Sequence, residues 1–425
     1  MAPLAVIYKK MGWKVTGSDR AFFPPMSTYL EKNGIAIMPG FKKEHLKERP
    51  DLAVVMSFIT KKNPELAFVL KEKIPHKSYS EILPELIEKK YSIVVAGSRG
   101  KTTVSALIAW ILEVAGKKPS FMIGGIPNNF KDGMRKTSSE WSVLEGDEYP
   151  ASNLQKIPKF LFYNPRYLVL TGATWDHVEQ FPTVKTYRDL FKKLVKRLPQ
   201  NGIVIANKEG EGLQEILQQS RLKIRWYECN SLNLHAPFAG RAWQENTAAA
   251  VALGEELGIP RKTIQQALLT FKGVKRRQEV RYQGKGITVI DDNAHSPEKV
   301  AGVLEVMRTQ YPRTQIISIY EPGSRNAVAL RQKAYSTAFA LSDYVFLPRI
   351  SSAAIRNAHF NELLFRRYAS FYPHMEYISD DKEIVSKIKR TAMRLRKRGK
   401  RVVVIFMSQK GFRGMIEEVM SALQT

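Results

Sequence analysis

Short apolar runs alternate with longer amphipathic segments along the whole chain. The longer segments carry apolar residues at the spacing of three and four that is typical of helices, over residues 102–114, 246–257 and 297–308. The short runs predict strands over residues 15–18, 52–57, 93–96, 168–171, 203–206, 288–291, 316–320 and 402–407. Because strands that alternate with helices form parallel sheets covered by helices, the pattern predicts an α/β fold.

The length of the chain favours more than one domain. Its 425 residues exceed what a single core of ordinary size needs. The sequence contains no internal repeat and no low-complexity linker, so the domain boundaries have to follow from the positions of the motifs. We place them near residues 87 and 278, which predicts domains over residues 1–87, 88–278 and 279–425.

Composition excludes several classes of protein. With 44% hydrophobic and 25% charged residues, the chain is neither disordered nor collagen-like. The single cysteine, Cys229, excludes an intramolecular disulfide and a cysteine-rich zinc module. Apolar runs such as residues 106–112 are shorter than the roughly 20 residues of a membrane span, and no export signal is evident. We therefore expect a cytoplasmic protein without a membrane span.

The charge balance is strongly positive. The chain has 67 Lys and Arg against 40 Asp and Glu, a net charge of +27. Such a charge attracts nucleic acid, sugar nucleotides and anionic lipid alike, so it does not select a partner. The densest basic run, residues 394–401, follows a predicted helix, and cations at a helix C-terminus are its ordinary explanation.

The segment over residues 93–107 favours a phosphate-binding loop. An apolar strand, a glycine turn and Lys-Thr-Thr at the start of a helix form the pattern of such loops. Gly97 and Gly100 allow backbone N–H groups to close on phosphate oxygens at a helix N-terminus. We expect Lys101 to hold nucleotide phosphates and the Thr102 hydroxyl to bind Mg²⁺. The other predicted nucleotide contacts of this loop are Ser98, Arg99 and Thr103.

Two further clusters follow predicted strands. Carboxylates at the carboxyl end of a strand face the crevice where ligands bind, so we expect Glu145, within the acidic residues 144–149, to share a magnesium ion with Thr102. Asp176 and His177 follow the strand over residues 168–171. A neutral imidazole there would ligate a second metal or contact phosphate, and the alternative is a structural hydrogen bond between the two side chains.

In their order along the chain, these motifs resemble the Mur ligase superfamily, the ATP-dependent ligases that build the bacterial cell-wall peptide. The resemblance covers nearly the whole chain. It rests on Gly-x-x-Gly-Lys-Thr-Thr, Glu-Gly-Asp-Glu, Asp-His, the helix with Asn246, Arg276-Arg277, and the motif from Asp291 to Pro297. Other segments resemble the branch that joins a murein tripeptide to UDP-N-acetylmuramate, among them Gly17-Ser18-Asp19, residues 24–28, residues 123–130 and Tyr320-Glu321-Pro322.

The resemblance implies an architecture and a reaction. Two Rossmann-like domains would flank a central P-loop ATPase domain. The N-terminal domain would bind the UDP-sugar, the central domain ATP, and the C-terminal domain the incoming peptide. ATP would phosphorylate the lactyl carboxylate of UDP-N-acetylmuramate, and the amine of L-alanyl-γ-D-glutamyl-meso-diaminopimelate would attack the acyl phosphate. The implied cofactors are ATP and Mg²⁺. Nucleic acid is not among the implied partners, although the +27 charge does not exclude it.

The resemblance also implies roles for individual residues. Catalysis would involve Lys101, His177 and Arg277, and metal binding would involve Thr102, Glu145 and His177. Outside the phosphate loop, ATP contacts are implied for Asn246, Arg277, Asp291 and His295. UDP-sugar contacts are implied for Ser18, Asp19, Ser27, Thr28 and Asn129, and peptide contacts for Ser324 and Arg325. Without the resemblance, most of these are ordinary cap, loop or linker residues.

The sequence departs from the family pattern at several places. The family begins with a strand and a glycine-rich loop that cradles the UDP diphosphate, so we expect either an upstream start or a UDP site without that loop. Arg99 replaces a usual His, and Gly323 replaces the Arg of a Glu-Pro-Arg-Ser segment, while Pro150 and Trp243 replace a carboxylate and an Asn. Two alternatives therefore stay open: an L-alanine-adding ligase, and a Mur-like protein that binds nucleotides or nucleic acid without ligating.

Overall fold

The computed structural model describes residues 1–22, 26–152, 157–175, 180–229, 240–322, 335, 337–349, 374–409 and 411–424. Three predicted site residues, His177, Ser324 and Arg325, lie outside these ranges. The chain forms two compact units, one of Met1–Pro237 with Trp243–Lys272 and the other of Phe238–Ala242 with Gly273–Thr425. The domain boundaries near residues 87 and 278 stay predictions.

Two small parallel sheets lie in the N-terminal part of the first unit. Strand β1 (Thr16–Asp19) pairs with β2 (Ala36–Pro39), and β3 (Ala53–Val55) pairs with β4 (His76–Ser78). The helices are α1 (Ala2–Lys10), α2 (Met26–Lys32), α3 (Pro64–Lys71) and α4 (Tyr79–Ile87), with a 3₁₀ turn at Lys43–Leu46. Ser78 begins α4 in a capping box with Glu81, which satisfies backbone donors that the first helical turn leaves unpaired.

A seven-stranded sheet forms the core of the first unit. Its spatial order is β11-β10-β9-β5-β8-β6-β7, and all neighbours are parallel except β6 and β7. The strands are β5 (Tyr91–Ala96), β6 (Ser120–Met122), β7 (Met134–Arg135), β8 (Trp141–Gly146), β9 (Tyr167–Leu170), β10 (Ile203–Asn207) and β11 (Lys223–Tyr227). The helices are α5 (Lys101–Val114), α6 (Val184–Val195), α7 (Leu213–Leu217), α8 (Arg241–Glu256) and α9 (Arg261–Thr270), with a 3₁₀ turn at Lys159–Phe162.

A six-stranded sheet forms the core of the second unit. Its spatial order is β12-β13-β17-β14-β15-β16, with only the β12–β13 pair antiparallel. The strands are β12 (Glu279–Gly284), β13 (Ile287–Asp292), β14 (Gln315–Glu321), β15 (Tyr344–Pro348), β16 (Met375–Ile378) and β17 (Val402–Ser408). Its described helices are α10 (Pro297–Gln310), α11 (Asp381–Lys397) and α12 (Met415–Gln424).

Burial explains which elements the sequence pattern located. Every residue of the central strand β17 is buried, as expected for a strand of a parallel sheet covered on both faces, and such strands are continuous apolar runs. The eight predicted strands are all present, with ends shifted by at most two residues. Among the strands that the pattern did not predict, β11 and β12 lie at sheet edges, and their residues are mostly half-buried or exposed. Helix α8 begins at Arg241, five residues before the predicted start.

None of the helices in the described part of the chain has the length and apolar character that crossing a membrane requires.

Candidate functional site

The loop between β5 and α5 has the backbone that its two glycines predict. Gly97 has φ +139° and Gly100 has φ +78°, conformations that side chains with a Cβ rarely adopt. A Cβ at position 97 would collide with the Thr171 hydroxyl and the Gly172 carbonyl. Neither glycine can be replaced without moving the loop.

The strand next to β5 anchors this loop. The Ser98 N–H donates to the Gly172 carbonyl at 3.0 Å, and the Thr171 hydroxyl donates to the Arg99 carbonyl at 2.5 Å. The Thr174 N–H donates to the Ser98 hydroxyl at 3.2 Å. The Arg99 side chain is exposed. Hydrogen bonds from the end of β9 therefore set the loop's shape and leave the arginine available to solvent.

The structure brings Asn246 of α8 to the phosphate loop. Its side-chain Oδ1 lies 2.2 Å from the position that a Cβ on Gly100 would take, so the amide packs directly against the loop. Trp243, one turn earlier on the helix, is buried and packs edge-on against Phe271. Thus Asn246 lies beside the predicted nucleotide site, whereas Trp243 belongs to the core.

Thr102 and Glu145 meet at the carboxyl ends of β5 and β8. The Thr102 hydroxyl donates to Glu145 Oε1 at 2.9 Å, and the Gly124 N–H donates to Oε2 at 2.6 Å. Glu145 lies in β8, and Thr102 lies in the first turn of α5, shortly after β5. Because β5 and β8 pair in parallel, their carboxyl ends are adjacent and bring the two side chains together. The buried Thr103 follows on the same helix.

This pair fits a magnesium ion. Mg²⁺ binds oxygen ligands at about 2.0–2.1 Å in an octahedron, in which neighbouring ligands lie about 2.9 Å apart. The two oxygens already have that separation. The described residues contain no cluster of three or more His, Cys, Asp or Glu that would hold a metal ion alone. Thr102 and Glu145 would therefore share the ion with nucleotide phosphates and water, as is usual for Mg²⁺.

Lys101 bends back over the loop toward a buried carboxylate. Its Nζ donates to the Gly97 carbonyl at 2.5 Å and lies 3.1 Å from Glu148 Oε2. The Lys101 and Glu148 side chains are 16% and 1% exposed. Burial by itself lowers the pKa of Lys101, but the negative charges of Glu148, Asp147 and Glu145 outweigh it and raise the pKa overall. The ammonium therefore stays charged.

Sequence reasoning missed two residues around Lys101. Glu148 belongs to the predicted acidic cluster, but no role was assigned to it. The Tyr187 hydroxyl donates to Glu148 Oε1 at 3.3 Å. The only signal in the sequence that could have pointed to Glu148 is its place in the acidic residues that follow β8. Nothing in the pattern of α6 singled out Tyr187.

Ser18, one of the predicted UDP-sugar residues, belongs to a polar cluster with Glu65 and His45. The Ser18 hydroxyl donates to Glu65 Oε2 at 2.5 Å, and His45 Nδ1 lies 2.7 Å from Glu65 Oε1. Asp19 accepts the Arg20 N–H at 2.7 Å. Glu65, on α3, is a polar group of this cluster that the sequence did not identify. Ser27 and Thr28 lie in the first turn of α2, buried and half-buried respectively.

Asn129 has a structural partner. Its Nδ2 donates to the Thr270 carbonyl at 2.8 Å, and its Oδ1 accepts the Lys272 N–H at 2.7 Å. The amide therefore connects this loop to the last residue of α9 and to the segment that follows it. Its predicted contact with the UDP-sugar stays a prediction.

Two aspartates lie at the carboxyl end of β13 in the second unit. Asp291 is 2% exposed, 3.5 Å from both Arg276 Nε and Arg281 Nη1. Asp292 accepts backbone N–H groups from Gln278 at 2.8 Å and Ala294 at 2.7 Å. Burial raises the pKa of Asp292, opposed by the nearby Arg277 and these donors. Arg277 thus lies near Asp292, the residue that follows Asp291.

The pKa of Asp291 predicts a pH-dependent stability. Burial raises this pKa to about 6, although Arg276 and Arg281 oppose the shift. Because the folded pKa exceeds the unfolded value, the stabilisation is complete below about pH 4 and is lost as the pH rises through about 6. Between pH 4 and 7, the wild-type protein should lose about 2–3 kcal/mol of unfolding free energy relative to Asp291→Asn.

Urea unfolding of both proteins across this pH range measures the difference. Arg281→Gln, which keeps the aspartate, provides the control and should retain a pH-dependent difference from Asp291→Asn. Parallel pH profiles of wild type and Asp291→Asn would contradict the expectation.

His295 lies just beyond the same strand. Its Nδ1 is 2.7 Å from the Asn293 carbonyl, and its own carbonyl accepts the Tyr320 hydroxyl at 3.0 Å. The ring is half-buried. The second unit therefore holds Arg277, Asp291 and His295 at one end of β13.

Charged residues also cluster at the ends of β14 and β17. The Ser408 hydroxyl donates to the buried Glu321 at 3.4 Å, and Arg413 Nη1 lies 3.6 Å from Glu321. Arg413 and Arg349 both pair with Asp381 and lower the pKa of that carboxyl to about 2, mainly through hydrogen bonds. Arg413 thus supplies a cation beside Glu321, at the end of β14.

Comparisons with known proteins identify the family of this chain. Residues 1–91 match the Mur ligase family catalytic domain, and residues 95–231 match the Mur ligase middle domain. The UDP-N-acetylmuramate–L-alanyl-γ-D-glutamyl-meso-2,6-diaminoheptandioate ligase of Haemophilus influenzae is 30% identical over 82% of this chain and 83% of its own length. The UDP-N-acetylmuramate–L-alanine ligase of Myxococcus xanthus is 26% identical over 84% of this chain and 80% of its own length.

A solved structure extends the similarity to the fold. A murein peptide ligase from Psychrobacter arcticus is 25% identical, with a TM-score of 0.72 over 99% of this chain and 95% of that one. The predicted α/β fold class and the predicted resemblance are therefore confirmed, as is the assignment to the ligases. The chain belongs to the Mur ligase family, whose members are ATP-dependent ligases.

Proposed function

We propose that this protein is an ATP-dependent amide ligase that joins L-alanyl-γ-D-glutamyl-meso-diaminopimelate to UDP-N-acetylmuramate. The observation that carries the proposal is the Lys101, Thr102 and Glu145 arrangement at the phosphate loop. The name of the Haemophilus influenzae relative supplies the substrates. A cytoplasmic location and a role in peptidoglycan recycling belong to the same proposal.

The proposed reaction has two steps. The lactyl carboxylate of UDP-N-acetylmuramate attacks the γ-phosphorus of ATP, so that an acyl phosphate forms and ADP leaves. The free amine of the tripeptide then attacks the carbonyl carbon, loses a proton and expels inorganic phosphate, which leaves an amide. Negative charge concentrates between two anionic substrates, so cations at fixed positions lower the barrier.

The chain's own residues supply much of this stabilisation. The backbone N–H groups at the start of α5 and the Lys101 ammonium would face the phosphates, and the rigid loop would hold them in register. Thr102 and Glu145 would hold Mg²⁺, which when bound screens phosphate charge. Asn246 would contact the nucleotide beside Gly100. The roles of Arg277, Asp291, His295, His177, Ser324 and Arg325 remain part of the proposal.

One assay tests the proposal. Purified protein is incubated with Mg²⁺, ATP and UDP-N-acetylmuramate, and tripeptide, L-alanine or buffer is added in parallel. ADP release and the mass of the product are measured. Product formed with the tripeptide and not with L-alanine is the expected result.

The other outcomes identify the alternatives. Relatives that add L-alanine are 26–30% identical to this chain over comparable lengths, so L-alanine is the second candidate acceptor. Turnover with L-alanine and not with the tripeptide would identify L-alanine as the substrate that is joined to UDP-N-acetylmuramate. ATP binding without any product would indicate a protein that keeps the nucleotide site without the ligase reaction.

A further inference from the structure

The buried carboxylate beside Lys101 has no role in the reaction as derived above. Glu148 lies two residues beyond the end of β8 and is 1% exposed. It contacts Lys101 through both carboxylate oxygens, at 3.1 and 3.3 Å. A carboxylate buried this deeply is costly unless charged or polar groups compensate it. The contacts with the Lys101 ammonium supply part of this compensation.

Tyr187 provides a second contact from a different element. Its side chain is fully buried on α6, and its hydroxyl donates to Glu148 Oε1 at 3.3 Å. The ring packs at centroid distances of 5.5 Å from Phe181 and 5.3 Å from Phe191. Because this aromatic packing immobilises the ring, the hydroxyl has a fixed position relative to the carboxylate.

The three residues form a chain of contacts from the core to the phosphate loop. Tyr187 orients Glu148, and Glu148 and the Gly97 carbonyl together direct the Lys101 ammonium over the loop. A lysine side chain has many rotamers, so its unsupported ammonium would be spread over a wide volume. With support from two sides, the ammonium is already near the phosphate position when a nucleotide arrives, which improves binding by preorganisation.

We propose that Glu148 and Tyr187 are positioning residues of the nucleotide site: Tyr187 fixes Glu148, and Glu148 orients Lys101 toward the phosphates of ATP. The proposal deepens the proposed function, since it concerns the same nucleotide site. The test measures nucleotide binding directly. The positioning proposal can therefore fail while the ligase reaction is confirmed, and the ligase reaction can fail while the positioning proposal is confirmed.

The test uses Tyr187→Phe, which removes one hydroxyl and keeps the aromatic packing. Binding of MgADP and MgATP is measured by titration calorimetry, and KM and kcat are measured for each substrate. Losing one supporting hydrogen bond should weaken nucleotide binding and raise KM for ATP about three- to tenfold. KM for UDP-N-acetylmuramate should be unchanged. Tyr91→Phe, the same change at the end of β5 opposite the phosphate loop, is the control and should bind as wild type.

Glu148→Gln separates positioning from competition. If the carboxylate orients Lys101, this variant should bind nucleotide roughly tenfold more weakly or worse. If the carboxylate instead competes with phosphate for the ammonium, the variant should bind more tightly, and the proposal is then wrong.

A double-mutant cycle tests whether Tyr187 acts through Lys101. In a Lys101→Met background, Tyr187→Phe should have no further effect on nucleotide binding, because the group that it positions is gone. An equal effect of Tyr187→Phe in both backgrounds would overturn the proposal. So would wild-type nucleotide affinity in folded Tyr187→Phe, or the absence of nucleotide binding by the wild-type protein.

Discussion

Replacing Lys101 by Met is expected to lower kcat/KM for ATP at least about a thousandfold. The ammonium is a largely buried cation held at the phosphate loop, and removing a preorganised charge of this kind typically costs two to three orders of magnitude in the chemical step alone. Weaker ATP binding adds to this loss. Initial rates of ADP release at varied ATP concentration measure the effect.

Lys101→Met also leaves Glu148 buried without its cation. Removing one partner of a buried ion pair typically costs about 3–5 kcal/mol of stability, so the variant should melt at lower temperature. Lys101→Met combined with Glu148→Gln should recover stability without recovering activity, which separates catalysis from folding. Lys185→Met, at an 83% exposed position on α6, is the control and should match wild type in both measurements. A folded double variant with normal turnover would contradict the role of Lys101.

Replacing Glu145 by Gln is expected to raise the Mg²⁺ concentration for half-maximal activity roughly tenfold and to lower kcat about a hundredfold. The Gln carbonyl can still accept the Gly124 N–H, and its NH₂ group can donate to the Thr102 hydroxyl, so the local structure should persist. What is lost is the negative charge that a hard cation prefers. ADP release at varied Mg²⁺ concentration gives both quantities.

The control for Glu145→Gln is Glu140→Gln, the same chemical change at a side chain that is 62% exposed just before β8. That variant should keep the wild-type Mg²⁺ requirement. An unchanged Mg²⁺ requirement in Glu145→Gln would show that the carboxylate does not hold the ion.

Local patterns were sufficient to predict the scaffold and the phosphate loop. Central strands such as β5 and β17 are buried on both faces, so their apolar runs are visible without any knowledge of the fold. The glycines of the loop have positive φ, which is the property that their position between strand and helix predicts. The proximity of Thr102 and Glu145 follows from the parallel pairing of β5 with β8, since parallel strands end at the same edge.

Contacts between distant segments could not be predicted in this way. Tyr187 follows Glu148 by 39 residues, and an amphipathic pattern does not distinguish a tyrosine that faces a carboxylate from one that only fills the core. Asn129 shows the opposite case. Its amide looks available for a ligand in the sequence, but backbone groups 141 and 143 residues away use both of its ends.

The tie between the phosphate loop and the end of β9 has a consequence for folding. The hydrogen bonds that shape the loop join residues 72 to 76 positions apart, so they can form only after β9 has paired with β5. Contacts of such long sequence separation form slowly, because a large loop must close first. A chain that ended before residue 167 would carry every residue of the Gly-x-x-Gly-Lys-Thr-Thr motif without the partners that hold it in shape. The motif is local in sequence, whereas the site that it forms depends on long-range folding.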